Sequence, residues 1–181
     1  MILIATDYTS ERWKLRLERD PFSLADFRAA VTVIDPTLAL ELRSRYIRKF
    51  IDTEIDYYQT NILKRRKFSD GVCYTGYLWN CLLPSRRRIS AKRFWTKIRR
   101  KDELIAFWDI HSCDHIFVWD YWKFPKDAVL KVSSRLLFEH KWIVSHYGYL
   151  PEDIYFCDET FEWSLIATHE SDAKGDIYVE I

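Results

Sequence analysis

The sequence predicts an α+β fold: a helical N-terminal half built around one long helix, followed by a mainly antiparallel sheet in the C-terminal half. Apolar residues recur at three- and four-residue steps from Leu38 to Ile62, the period of a helix. Beyond residue 102 they fall into short runs, rich in β-branched and aromatic residues, that alternate with polar ones. A third observation concerns charge. Residues 1–101 carry 22 Lys and Arg against 11 Asp and Glu, while residues 102–181 carry 6 against 16, so a net charge of +1 conceals two opposed halves. The 181 residues suit a single domain, 1–181, and with 48% hydrophobic residues, 17% aromatics and only 4 Gly the chain can build a core without staples.

A short helix is expected over Ser23 to Thr32. The long helix starts at Asp35-Pro36, where a short acidic side chain caps the first turn and proline loses nothing by lacking an N–H. Leu38, Leu42, Tyr46 and Phe50, then Ile47, Ile51, Ile55, Tyr58 and Ile62, extend its stripe to about Lys64, roughly 45 Å of helix. Asp70-Gly71 breaks the pattern, and Val72 to Leu83 reads equally as a strand or a buried helix. Ser90 caps a helix running to Arg100, with Phe94, Trp95 and Ile98 facing inward. Leu104–Trp108 and His115–Trp119 read as strands, and Ser133 or Ser134 opens a helix reaching His146, before Gly148 and Pro151. Ile154–Cys157 and Trp163–Thr168 form a hairpin across Asp158–Glu162, and the alternation of Ile177, Val179 and Ile181 with polar residues marks a last strand.

The N-terminus has no basic segment followed by a long apolar run, so no signal peptide is expected, and no run approaches the ~18 apolar residues of a membrane span. The expected location is the cytoplasm. Cys73, Cys81, Cys113 and Cys157 lack paired spacing and read as small apolar core residues. A Gly-rich phosphate loop, a G-x-S-x-G elbow and an H-E-x-x-H helix are all missing from the sequence, so no catalytic residue and no cofactor are assigned.

Three clusters carry chemistry. Arg86, Arg87 and Arg88, continuing through Lys92, Arg93, Lys97, Arg99, Arg100 and Lys101, place nine cations together with no acid among them. Phosphate backbones reward such a run by counterion release, but the helical spacing of Phe94, Trp95 and Ile98 favours a solvated basic helix. The alternative function is therefore a nucleic-acid-binding protein or nuclease that uses the 86–101 segment, with Arg86, Arg87, Arg88, Lys92, Arg93 and Lys97 as its contacts. His111, Cys113 and His115 offer metal-ligand types two residues apart, yet no fourth ligand is near in sequence, so a polar turn is preferred and no metal is assigned. His169 beside Glu170, with Asp172 and Asp176 following, has the residue types for general acid–base work, but neighbours on a strand face opposite ways. A strand-end histidine among surface acids is preferred.

Phe107-Trp-Asp-Ile-His-Ser-Cys-Asp-His-Ile-Phe117 leading into Tyr121–Leu130, and Asp153–Glu170 with Trp163 and a closing Thr-His-Glu, resemble small bacterial proteins of the polymorphic-toxin immunity type, which act in contact-dependent growth inhibition. The resemblance spans under half of the chain. It implies a cytoplasmic, non-enzymatic protein that binds and blocks a cognate toxin domain, and it transfers no contact residue. Residues 150–181 hold nine acids against Lys174 alone, so the toxin contact is placed on Asp158, Glu159, Glu162, Glu170 and Asp172, with Phe161 as an aromatic anchor. A nuclease toxin with a basic groove would suit such a surface.

Overall fold

A computed structural model describes residues 22–64, 66–68, 71–73, 76–109, 115–118, 122–125, 128–144, 149–150, 153–173 and 175–181. In chain order the elements are α1 (Leu24–Ala30), β1 (Val31–Val33), α2 (Pro36–Phe50), β2 (Arg66–Phe68), β3 (Gly71–Cys73), β4 (Arg87–Ile89), α3 (Ala91–Arg99), β5 (Glu103–Trp108), β6 (His115–Val118), β7 (Trp122–Pro125), β8 (Leu130–Ser133), α4 (Ser134–Glu139), β9 (Ile154–Cys157), β10 (Leu165–Asp172) and β11 (Gly175–Glu180). Seven strands form one antiparallel sheet in the order β1-β8-β5-β9-β10-β11-β4, and β2-β3 and β6-β7 form separate pairs.

Local chemistry explains most helix starts. Ser23 accepts from Asp26 N while the Asp26 carboxylate accepts from Ser23 N, a reciprocal capping box for α1. Asp35 accepts from Thr37 N and Leu38 N at the head of α2, with Pro36 in the first turn. Ser90 accepts from Arg93 N to open α3.

The central strands read as continuous apolar runs because both sheet faces are covered. On β5, Leu104, Ala106 and Trp108 join a layer with Phe27 of α1, Phe94, Trp95 and Ile98 of α3 and Leu137 of α4. Ile105 and Phe107, on the opposite face, pack with Ala39, Leu42, Tyr46 and Phe50 of α2. Tyr46 seals this second layer: its ring lies edge-on to Phe107 and Tyr155, and its hydroxyl pairs with Ser164 Oγ at 2.7 Å. Cys81 and Cys157 are buried free thiols in the same layer, and burial pushes both up to about 12.

The expected division into a helical half and a sheet half is corrected here. There is no long helix in the described N-terminal half: α2 stops at Phe50, and Ile51 turns extended at φ −107° to bridge Leu82. Asp52 N then donates to Cys81 O and Leu83 N to Phe50 O, so tertiary backbone pairing claims the groups that helix continuation would need. The rest of the stripe, Tyr58 and Ile62, reaches the same layer from a separate π-helical turn over Tyr58–Ile62. Both sheet edges, β1 and β4, also come from the first half of the chain. Val72 to Leu83 is divided as well, into β3, a 3-10 turn over Leu78–Cys81 and the Leu82 bridge. The helix expected to reach His146 ends at Glu139, and Val144 bridges Leu150.

Candidate functional site

Between β9 and β10 the chain reverses over the second apolar layer, and Asp158 begins the reversal. Its carboxylate accepts from Thr160 N at 3.1 Å, Thr160 Oγ1 at 2.5 Å and Trp163 Nε1 at 2.5 Å, and Lys101 Nζ lies 3.4 Å away. Burial pushes the Asp158 carboxyl up, but the bonds from Thr160 and Trp163 outweigh it and hold it below the usual carboxylate range. Thr160 Oγ1 accepts in turn from Glu162 N at 3.2 Å. Phe161 takes φ 54°, a left-handed conformation, and buries its ring against the second layer, with the Arg45 guanidinium 4.5 Å from the ring centre.

This turn leaves two acids outward. Glu159 is 71% exposed and pairs with Lys131 Nζ at 2.8 Å, an ammonium that holds its carboxyl low. Its carbonyl accepts from Arg45 Nη2 at 3.1 Å. Glu162 is exposed. Phe161, expected as an aromatic anchor, is 3% exposed and its ring belongs to the second layer of the core. Glu170 and Asp172 are exposed, but they stand toward the far end of β10, about 17 and 23 Å along the strand from Leu165 at ~3.3 Å per residue. Glu170 Oε1 lies 3.7 Å from His169 Nε2, and Asp172 pairs with Arg88 Nη1 at 2.9 Å. The structure therefore divides the expected acidic surface into two ends of one strand.

The cations, by contrast, converge. Glu180 closes β11 opposite Arg87 of β4, and its side chain, only 10% exposed, meets Arg87 Nη2 and Arg93 Nε at 3.0 Å each, and Lys97 Nζ. Burial pushes this carboxyl up, yet the bonds from Arg87, Lys97 and Arg93 outweigh it and lower it to about 2. Around these pairs lies an open depression of about 420 Å³ lined by Ser90, Lys92, Arg93, Thr96, Lys97 and Arg100. Arg86 stands outside the set, donating to Leu82 O at 2.6 Å. Phe94 and Trp95 face the core, so this helix offers no ring for base stacking.

A polar centre that sequence reasoning missed sits behind His169. Asp153, buried and at φ 60°, places both carboxylate oxygens 3.0 Å from His169 Nδ1. Its Oδ1 also accepts from Trp79 Nε1 at 2.9 Å and His169 N at 3.2 Å. Buried Asp109 accepts from Tyr155 Oη at 2.5 Å and Leu78 N at 3.1 Å, and Tyr155 Oη accepts from Trp79 N at 2.8 Å. The Tyr77 ring packs 4.6 Å from the imidazole. The signal was in the hairpin register, since Ala167 opposite Ile154 brings residue 153 beside the Thr168-His169 step. Chemically the pair can hold a proton, and structurally it locks the 77–81 segment to β10.

His111 and Cys113 lie outside the described residues, and His115 opens β6 opposite Pro125. Among the described residues no group of three or more His, Cys, Asp or Glu could hold a metal ion. No described helix is long and apolar enough to cross a membrane. No protein-family model, curated protein or solved structure matches the chain.

Proposed function

We propose that this chain is a non-enzymatic inhibitor of the immunity type, which binds and neutralises a cognate bacterial toxin domain in the cytoplasm. The observation that supports the reading is the prefolded 158–162 turn. Asp158, Thr160, Phe161 and Trp163 fix its backbone from within, so Glu159 and Glu162 are displayed with little left to order on binding. Such a turn suits a basic substrate groove, such as that of a nuclease, where fixed carboxylates stand in for phosphates and speed encounter. Glu170 and Asp172, at the other end of β10, lie outside this contact.

The test begins with the neighbouring reading frame: where it encodes a large secreted protein, the C-terminal domain of that protein is titrated with the purified chain, read by calorimetry and by toxin activity. A 1:1 complex with loss of toxin activity is expected. An active toxin that forms no complex with the chain contradicts the reading.

A further inference from the structure

The basic face formed by β4 and α3 is a second surface, built from residues that the inhibitor reading does not use. Four cations, Lys92, Arg93, Lys97 and Arg100, line the open depression, and Arg87 joins them through the carboxylate of Glu180, so this set of described residues carries an excess of four positive charges. That carboxylate is the least exposed member of its cluster and serves as a fixed brace for Arg87, Arg93 and Lys97. Lys92 and Arg100 make no ion pair with the described residues. The flanking cations are committed elsewhere: Arg88 to Asp172, Lys101 to Asp158, and Arg99 over the Phe138 ring.

We propose that this face binds the phosphodiester backbone of a nucleic acid. Lys92, Thr96 and Arg100 recur every fourth residue along α3 and its C-cap, a ridge about 12 Å long at ~1.5 Å per residue. Arg93 and Lys97 form a parallel ridge held by Glu180. A ridge of that length spans about three to four phosphates of one strand, at one per ~3.4 Å, a regular line of negative charge that matches the line of cations. Guanidinium forks from Arg93 and Arg100 fit phosphate oxygens, and the Ser90 and Thr96 hydroxyls line the same depression. With Phe94 and Trp95 buried, α3 supplies no stacking ring, so the contact is to backbone and is indifferent to base sequence.

The test is fluorescence anisotropy of a labelled ~20-bp duplex of arbitrary sequence with the full chain, from ~50 to ~200 mM salt. Expected are a log–log salt slope of about −4 and equal affinity for a scrambled duplex. The double variant Lys92→Ala/Arg100→Ala, at exposed positions whose removal leaves the thermal midpoint unchanged, weakens binding about 10-fold or more and flattens the slope by about 2. In the unaltered protein, bound duplex slows acylation of Lys92 but not of Lys49 on α2. Absence of binding at the lowest salt, binding insensitive to the double variant, or equal competition by poly-glutamate of matched charge each overturns the assignment, the last by pointing to an acidic protein partner.

Discussion

The 158–162 turn and the α3 face carry opposite charge and treat it in opposite ways. In the turn, Asp158 is spent on the fold, satisfying Thr160, Trp163 and Lys101, and two acids are left to face outward. Beside α3 one carboxylate, Glu180 of β11, is spent on the fold and the cations remain in surplus around an open depression. Local charge in a sequence is thus not surface charge. Short acids near a reversal tend to be drawn into backbone hydrogen bonds, while long Lys and Arg side chains keep their heads in water even when their stems pack. Of the acids at 153–180, Asp153 and Glu180 are buried and Asp158 is drawn into its own turn, while of the nine cations of residues 86–101 Lys92 and Arg100 make no ion pair with the described residues.

Substitutions can break this contrast, beginning with the largest effect. Phe161→Ala removes the ring that anchors the turn in the second layer and is expected to cost about 3 kcal/mol in urea unfolding, with the turn loosened. An unchanged midpoint would mean that the ring does not hold the turn. Next is Glu180→Gln, expected to cost about 2 kcal/mol at neutral pH once screening of its partly exposed cations is allowed for. Its folded pKa of about 2 lies below the ordinary 4.5, so its stabilisation is full above the ordinary value and is lost as pH falls from 4.5 toward 2. The Gln variant should lack that slope in acid unfolding followed by circular dichroism. Smallest is Glu159→Gln, whose exposed pair with Lys131 should leave the thermal midpoint within error, whereas the same change should still slow association with a toxin.

Legibility followed locality. The starts of α1, α2 and α3 could be read because Ser23, Asp35 and Ser90 cap them within three residues. The β9–β10 hairpin could be read from two apolar runs flanking a polar link, and β11 from alternation. The end of α2 could not, because Ile51 leaves the helix to pair with Leu82, thirty-one positions away, while the apolar period runs on undisturbed. The edge strands β1 and β4 have three residues each and no period to detect. At the candidate site, the exposure of Glu159 and Glu162 was legible from a polar link. The burial of Phe161 was not, since a left-handed φ turns its ring inward against the pattern of its neighbours. Asp153 and His169 stand 16 residues apart, and only the strand register joins them.

The most direct measurement sets the two faces against each other in one experiment, with association rates to the toxin domain and to a nucleic-acid duplex recorded for Glu162→Lys and for Lys92→Glu. A crossed result is expected: Glu162→Lys slows toxin association several-fold and spares the duplex, while Lys92→Glu weakens the duplex and spares the toxin. Toxin association that is unmoved by Glu162→Lys, or slowed equally by both substitutions, would contradict it.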